Sequence, residues 1–412
     1  MLYSTSSIRR RLSANALCGT LGLLTCSLAS AWEQLPEGLE VGKWILAPSF
    51  TASYEAEDNV FLKTDDTATS DRVATLGGEL KASLPFRNSN LELGYAATKE
   101  DYAKNDFQRD LTQLASVELQ LEFRTGDRLT LRDRYRRDFA RAEETDPGGE
   151  TTFQGEPYNF NTWQVDLTRD DPRRRGYRLH VERQDFIYEG KTDIGFFEYR
   201  GFANYFEYYQ PLPDDRSWVV HYGTRRFDHY DPESAVGVPF RTEKSDNVSL
   251  GMRGLLGKDQ PYRIGLGYGR FRYEGDDGSE FHGLVGTAAW RLWLGGRTKL
   301  DLEAIRRPLP SNLSTYYINS AAVATLEREW QRFDLGTEFE YTKNAYADEI
   351  PDLECDGRRK DSTYAVEAFW KLKIHERISY DLSSFYSRRS STCDTSEYDA
   401  AGIETGLRIG WF

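Results

Sequence analysis

From Trp44 to the C-terminus, the sequence consists of strand-length segments in which apolar and polar residues alternate. Clear examples are residues 247–253 (NVSLGMR), 333–339 (FDLGTEF) and 364–370 (YAVEAFW). Alternation with a period of two puts one set of side chains on each face of a β-sheet. Sustained over a whole chain, with one apolar and one polar face, it is typical of a transmembrane β-barrel. The sequence therefore predicts an all-β fold, an antiparallel up-and-down barrel that spans a membrane.

We expect eighteen strands, which together form one barrel over residues 43–412. They are predicted at 43–55, 72–84, 90–100, 109–123, 128–140, 158–169, 176–187, 197–209, 217–228, 245–256, 261–273, 280–294, 298–307, 316–329, 332–343, 362–373, 377–388 and 399–412. Tight turns such as 295–297 follow the even-numbered strands, and longer polar connectors such as 141–157 follow most odd-numbered ones. Short periplasmic turns, long extracellular loops and an even strand number predict that both termini lie in the periplasm.

Residues 1–31 are typical of a removable export signal. Three arginines at 9–11 precede an apolar stretch at 12–28, and Ala29-Ser30-Ala31 forms an A-x-A cleavage site. Lipidation at Cys26 is the alternative, although the preceding threonine fits it poorly. Residues 32–42 would then form a short periplasmic segment before the barrel. We therefore predict that the protein lies in the outer membrane of a bacterium.

The chain is acidic, and much of the acid lies in the long connectors, such as residues 55–58, 143–146 and 348–352. The formal net charge is −13, and removal of the signal, with three arginines and no carboxylate, makes it −16. Nucleic acid is not expected to bind such a surface. We expect a solvated acidic rim, with bridging to lipopolysaccharide through divalent cations as the alternative. Outer-membrane lipids and lipopolysaccharide are the expected partners of the barrel as a whole.

Cys355 and Cys393 are the cysteines that remain once the signal is removed. Each lies in a long connector on the predicted extracellular side, and these connectors are neighbours. Because the periplasm is oxidising, we predict a disulfide between the two cysteines. Two free thiols or a metal pair are the alternatives, and no histidine cluster accompanies the cysteines.

Arginines are frequent on the predicted inner face of the barrel. Those predicted to line the path of a substrate are Arg132, Arg134, Arg136, Arg178, Arg225, Arg253, Arg263 and Arg291. Because inward carboxylates concentrate in the last strands, we expect the first two-thirds of the wall to be arginine-rich and the last third acidic. A guanidinium pairs bidentately with carboxylate or phosphate, so this wall favours a conduit for anionic polymers or solutes. Alternatively, each arginine pairs with an opposing carboxylate and holds the barrel in shape.

Two positions depart from the alternation. Asp133 falls on the same face as Leu131 and Tyr135, so either the register breaks there or the strand extends above the membrane. Phe412 is out of phase with the apolar face that ends at Trp411. A terminal bulge, or Trp411 acting as the anchor, would resolve this second departure.

Catalytic motifs are missing from the sequence. It contains no H-E-x-x-H and no G-x-S-x-G, and its five histidines are scattered. We therefore expect no enzyme, no cofactor and no metal site. A serine–histidine site formed by one pair of strands is the alternative.

Residues 47–54 (APSFTASY) and 57–62 (EDNVFL) resemble the opening of the β-barrel porin-2 family. This family includes the EpsL-like barrels associated with exopolysaccharide gene clusters, and its members begin with a first strand followed by a D-N-V-F-like segment. The resemblance implies an outer-membrane exit route for an exopolysaccharide or capsular polysaccharide. It also implies a periplasmic polysaccharide-export protein as partner, and it supplies no catalytic residues.

The expected function is therefore export of a polysaccharide, an anionic one, through an arginine-rich lumen. A general or anion-selective diffusion porin, which needs no polymer partner, is the alternative. A structural or adhesive surface barrel, whose acidic loops carry the function, is the third.

Overall fold

The computed structural model describes residues 38–60, 62, 68–104, 111–139, 157–170, 175–189, 198–229, 242–257, 259–273, 280–311, 314, 316–349, 355, 357–393 and 396–411. The predicted signal lies outside these residues. Within the described ranges, no helix is long and apolar enough to cross a membrane.

The described residues form nineteen strands. They are β1 (Leu39–Val41), β2 (Trp44–Glu57), β3 (Asp71–Phe86), β4 (Ser89–Tyr102), β5 (Leu111–Glu122), β6 (Asp127–Phe139), β7 (Pro157–Arg169), β8 (Gly176–Tyr188), β9 (Tyr199–Leu212), β10 (Arg216–His229), β11 (Glu243–Leu256), β12 (Gln260–Tyr273), β13 (Phe281–Trp293), β14 (Thr298–Pro310), β15 (Tyr316–Glu329), β16 (Phe333–Tyr346), β17 (Lys360–His375), β18 (Ile378–Ser391) and β19 (Tyr398–Gly410).

Strands β2 to β19 close into a barrel. Each pairs antiparallel with the next along the chain, and β19 pairs back with β2, where Leu407 lies opposite Ala52. These eighteen strands match the predicted ones within three residues at each end, so the predicted fold and strand number are confirmed. The short β1 pairs with the start of β2 across a tight turn, in which Gly42 has a φ of 67°.

The strand alternation separates an apolar outer face from a polar inner wall. Large apolar side chains point outward and are exposed, as for Leu266 and Leu284. Glutamates point inward and lose all contact with solvent in the extreme cases, Glu207 and Glu367. Soluble proteins show the opposite arrangement, with apolar side chains inside and charged ones outside. Apolar side chains on the outer face suit a barrel in contact with hydrocarbon, in which closure of the sheet pairs the backbone groups.

β6 runs past Asp133 without a shift in register. Asp133 lies opposite Val117 on β5 and Trp163 on β7, and both of those side chains are exposed on the outer face. The alternative of a register break is therefore wrong. Above this level the outer face becomes polar, since Arg137 bonds to Glu189 at 2.7 Å. Hydrogen bonds from Arg137 hold the pKa of Glu189 below its usual range.

The last strand is closed off by Trp411. Its backbone N–H donates to the Pro48 carbonyl at 3.0 Å, and the Arg377 guanidinium lies 4.1 Å from its ring centroid. Gly410 before it has a φ of 139°, and a Cβ at this position would collide with the Pro48 carbonyl. Trp411 therefore anchors the strand end, whereas Phe412 lies outside the described residues.

A disulfide joins Cys355 to Cys393, whose Cα atoms lie 4.2 Å apart. It connects the β16–β17 connector to the β18–β19 connector. Next to it, Arg359 and Asp361 form a fully buried ion pair at 2.8 Å, and Ser391 Oγ donates to Asp361 at 2.7 Å. The two connectors are thus tied by a covalent bond and a buried polar cluster.

Candidate functional site: the inner wall of the barrel

Arginines and carboxylates are unevenly distributed around the inner wall. The inner faces of β6–β13, here called the basic arc, carry Arg128, Arg132, Arg134, Arg136, Arg178, His180, His221, Arg225, Arg253, Arg263 and Arg291, together with the carboxylates Asp138, Asp166, Glu182, Glu207 and Glu243. The inner faces of β14–β19 and β2–β5, here called the acidic arc, carry mainly carboxylates: Asp301, Glu303, Glu327, Glu329, Asp334, Glu338, Glu340, Asp361, Glu367, Asp381, Glu404, Glu55, Glu57, Asp71, Glu79, Glu92, Glu100, Glu118 and Glu122.

This distribution corrects one expectation from the sequence. The first two-thirds of the wall is not uniformly arginine-rich, because β2–β5 present glutamates such as Glu79 and Glu92 to the lumen. The last third is acidic, as expected. Since β19 pairs with β2, the two acidic stretches are continuous around the barrel and face the basic arc.

Most of the predicted arginines bond to carboxylates. The pairs are Arg132–Glu118 at 2.6 Å, Arg136–Asp138, Arg178–Asp166 at 2.8 Å, Arg253–Asp170 at 2.5 Å, Arg263–Glu207 and Arg291–Asp301 at 2.6 Å. The contacts of these six arginines fit the alternative in which each arginine pairs with a carboxylate and stabilises the barrel.

Two predicted arginines differ from the others. Arg134 is exposed on the inner wall between Ser116 and Thr162, and within the described part of the chain it forms no ion pair. Arg225 forms no ion pair among the described residues, but it interacts electrostatically with Glu182 two strands away, and its guanidinium lies 4.9 Å from the Phe227 ring centroid. Of the predicted arginines, Arg134 therefore presents the charge that a passing solute meets most directly.

Ion pairs between non-adjacent strands reinforce the basic arc. Arg263 on β12 reaches Glu207 on β9, and Arg253 on β11 reaches Asp170 at the end of β7. The fully buried Glu207 also accepts a hydrogen bond from Tyr209 at 2.6 Å and lies 3.2 Å from His221 Nδ1. Sequence reasoning missed Glu207 and Asp166, although strand alternation alone places both on the inner face.

Two histidines that are far apart in the sequence meet on this wall. The Tyr205 ring lies between His180 and His221, at centroid distances of 4.4 and 5.6 Å. His180 Nδ1 is 3.0 Å from Asp166. No group of three or more His, Cys, Asp or Glu side chains in the described ranges could hold a metal ion.

Aromatic side chains also point inward near the extracellular ends of the strands. They are Tyr158, Phe160, Phe186, Tyr188, Tyr199, Phe227, Phe271, Phe281, Tyr317, Tyr346 and Tyr398. Several are in ring contact, for example Tyr317 with Tyr346 at 5.3 Å. These aromatic side chains therefore face the lumen rather than the membrane.

Comparison with known proteins identifies the fold. No protein-family model and no curated protein matches the sequence. OccAB3 of Acinetobacter baumannii has a TM-score of 0.51 and 10% identity, over 90% of this chain and 100% of that one. The outer membrane protein OpdK of Pseudomonas aeruginosa has a TM-score of 0.50 and 10% identity, over 89% and 99%. This chain is a bacterial outer-membrane β-barrel.

A third similar structure is the siderophore receptor PirA of Pseudomonas aeruginosa, with a TM-score of 0.48 and 9% identity over 92% of this chain and 81% of that one. At such identities the similarity concerns the fold. The resemblance to the β-barrel porin-2 family therefore stays a prediction.

Proposed function

We propose that this barrel is a diffusion channel for small charged solutes, and that its outer face contacts lipopolysaccharide and phospholipid. The observation that carries the proposal is a closed wall with a basic arc facing an acidic arc. Barrels of roughly 16–18 strands leave an aqueous lumen, and rings of charged side chains set which solutes enter it.

Anion selectivity should be weak in this channel. Arg132, Arg178 and Arg263 are neutralised by carboxylates and Arg225 interacts with Glu182, so Arg134 remains as the main attraction for anions. The facing acidic arc attracts cations at the same time. We therefore expect a small preference for one sign of charge rather than exclusion of the other.

Recording from the purified protein in planar lipid bilayers tests this proposal. A steady conductance with potassium chloride, without any added partner, is the expected result. The reversal potential in a salt gradient then gives the selectivity. Folded, inserted protein that conducts no ions would contradict the proposal.

Export of an anionic polysaccharide, with a periplasmic polysaccharide-export protein as partner, is the second candidate. The inward aromatic side chains favour it, because the rings of sugars stack on aromatic faces. Against it, the cationic path is interrupted where arginines bond to carboxylates. A barrel that conducts only after the periplasmic partner is added would favour export over diffusion.

A further inference from the structure

Charged side chains extend down the outer face of β6 and β8 to a level at which β12 is still apolar. Asp133 lies six residues above the start of β6, and Arg183 lies seven above the start of β8. On β12 the outward residue six above the start is Leu266, which is 62% exposed. A tilted strand needs about nine to eleven residues to cross the hydrocarbon. The apolar outer face of β6, with Leu129 and Leu131 below Asp133, is therefore too short to span it.

The charged patch is centred on a tryptophan. Asp133 on β6, Trp163 on β7 and Arg183 on β8 lie directly opposite one another, and we call these three residues the outer row. Opposed side chains on neighbouring strands are roughly 5 Å apart at Cβ, so Asp133 and Arg183 flank the indole ring on its two sides. Trp163 is 44% exposed on the outer face. An exposed aromatic ring thus lies between two charges.

The two ends of the outer row differ in sign of charge. Asp133 is exposed, and within the described ranges it forms no ion pair. Arg183 bonds to Asp185 at 2.8 Å, and Arg200 bonds to the same carboxylate at 2.9 Å. Two guanidiniums share one carboxylate, so this group of three keeps a net positive charge. Lipid chains can solvate neither this charge nor that of Asp133.

We propose that the outer row is the interface at which two copies of this chain pair in the membrane around a two-fold axis. In a two-fold dimer, residue i of one copy contacts residue j of the other, and the reverse contact also forms. An axis that passes beside Trp163 brings Asp133 of each copy to Arg183 of the other and packs the two indole rings together. The row is self-complementary because its centre is aromatic and its ends carry opposite charges.

A second copy of the chain fits this patch better than an anionic lipid headgroup. A phosphate bound to Arg183 or Arg200 would also meet Asp185, and Asp133 follows along the row; both carboxylates repel it. A second barrel supplies charges of both signs and covers the polar side chains with another fully paired wall. Tryptophan and arginine are also the residues that dominate the centres of protein interfaces. The contact lies on the outer face, so it does not depend on what the lumen carries.

Cysteine crosslinking in intact outer membranes tests the interface. Outside the predicted signal the chain has two cysteines, Cys355 and Cys393, and both are in the disulfide, so an added cysteine is a unique thiol. Asn161→Cys leaves the outer row intact, and a bifunctional maleimide should convert it to a species of twice the mass. Tyr341→Cys is the matched control. Asn161 and Tyr341 both point outward eight residues from the periplasmic ends of β7 and β16, and the control should stay at the monomer mass.

Charge reversal assigns the dimer to the outer row. In the Asn161→Cys background, Asp133→Arg and Arg183→Asp should each lower the crosslinked yield at least about tenfold, because each puts like charges across the axis. Both substitutions together restore opposite charges and should recover the yield. Arg306→Asp reverses an outward arginine on β14 and should leave it unchanged. Circular dichroism of each purified variant establishes that the barrel is folded.

Each outcome either supports the interface or overturns it. Crosslinking through residue 161, lost in the single reversals and recovered in the double one, supports the dimer. A folded barrel that gives no crosslink through residue 161 overturns it, and lipid then covers the outer row. Crosslinking that the single reversals do not weaken overturns it as well. Conductance is measured separately and should be unchanged by Asp133→Arg, so the dimer and the channel proposal stand or fall independently.

Discussion

The basic arc and the acidic arc are both built from antiparallel strands, yet they accommodate charge in different ways. In the basic arc, arginines bond to carboxylates on the same, neighbouring or more distant strands, as Arg263 does with Glu207. In the acidic arc, Glu338 on β16 and Glu367 on β17 lie directly opposite each other, both buried. Like charges in opposed positions destabilise a sheet, whereas opposite charges stabilise it.

The two boundaries between the arcs are ionic. Arg132 on β6 bonds to Glu118 on β5, and Arg291 on β13 bonds to Asp301 on β14. The difference between the arcs teaches that a count of arginines does not measure the charge available to a solute. Most arginines of the basic arc are bonded to carboxylates, so little positive charge remains for a solute to contact.

The largest loss of stability should come from breaking the ion pair between Glu207 and Arg263 in the basic arc. Replacing this fully buried side chain in Glu207→Ala leaves Arg263 without its carboxylate, and removal of one partner of a buried pair costs about 3–5 kcal/mol. Urea unfolding in lipid vesicles, followed by tryptophan fluorescence, measures the loss. A free energy of unfolding within about 1 kcal/mol of the wild type would contradict a stabilising network in the basic arc.

The second-largest effect on stability should come from removal of the disulfide, which lies at the acidic arc. The Cys355→Ser, Cys393→Ser double variant should lower the free energy of unfolding by about 2–4 kcal/mol, because the disulfide constrains the unfolded chain. Unfolding with and without dithiothreitol measures it. Reductant should destabilise the wild type and leave the double variant unchanged; equal sensitivity of both would contradict this prediction.

A third test separates free arginines from paired ones. Arg134→Gln, which removes an arginine without an ion pair among the described residues, should shift the reversal potential toward cation preference, with a change in permeability ratio of about twofold. Arg291→Gln, which removes an arginine bonded to Asp301, serves as the comparison and should change the ratio less. Equal shifts in the two variants would mean that pairing does not decide which charges reach the solute.

The smallest effect should appear within the acidic arc. Glu340→Gln removes a charge two residues from Glu338 but keeps an oxygen that accepts the hydrogen bond from Thr342, which is 2.9 Å long. Relief of repulsion should raise the free energy of unfolding by about 0.5 kcal/mol. The same urea experiment measures this gain, and a clear destabilisation would show that the carboxylates of this arc are stabilised by their surroundings.

Much of the fold could be predicted from local patterns. The strand ends agree within three residues because period-two alternation and turn residues are properties of neighbouring positions. The environment of Asp133 could not be predicted, because a polar residue on an apolar face indicates either a bulge or a strand that extends above the membrane. The uninterrupted pairing with Val117 and Trp163 excludes the bulge.

Alternation and connector order are enough to predict the eighteen strands, the inner position of each predicted arginine and the pairing of Cys355 with Cys393, because all three are properties of nearby positions in the chain. Only the tertiary structure decided which arginines are neutralised. Arg253 and Asp170 are 83 residues apart, and they meet because the closed wall curves non-adjacent strands toward each other. Among the described residues, the same arrangement leaves Arg134 without an ion pair and puts Arg225 close enough to Glu182 to interact with it electrostatically.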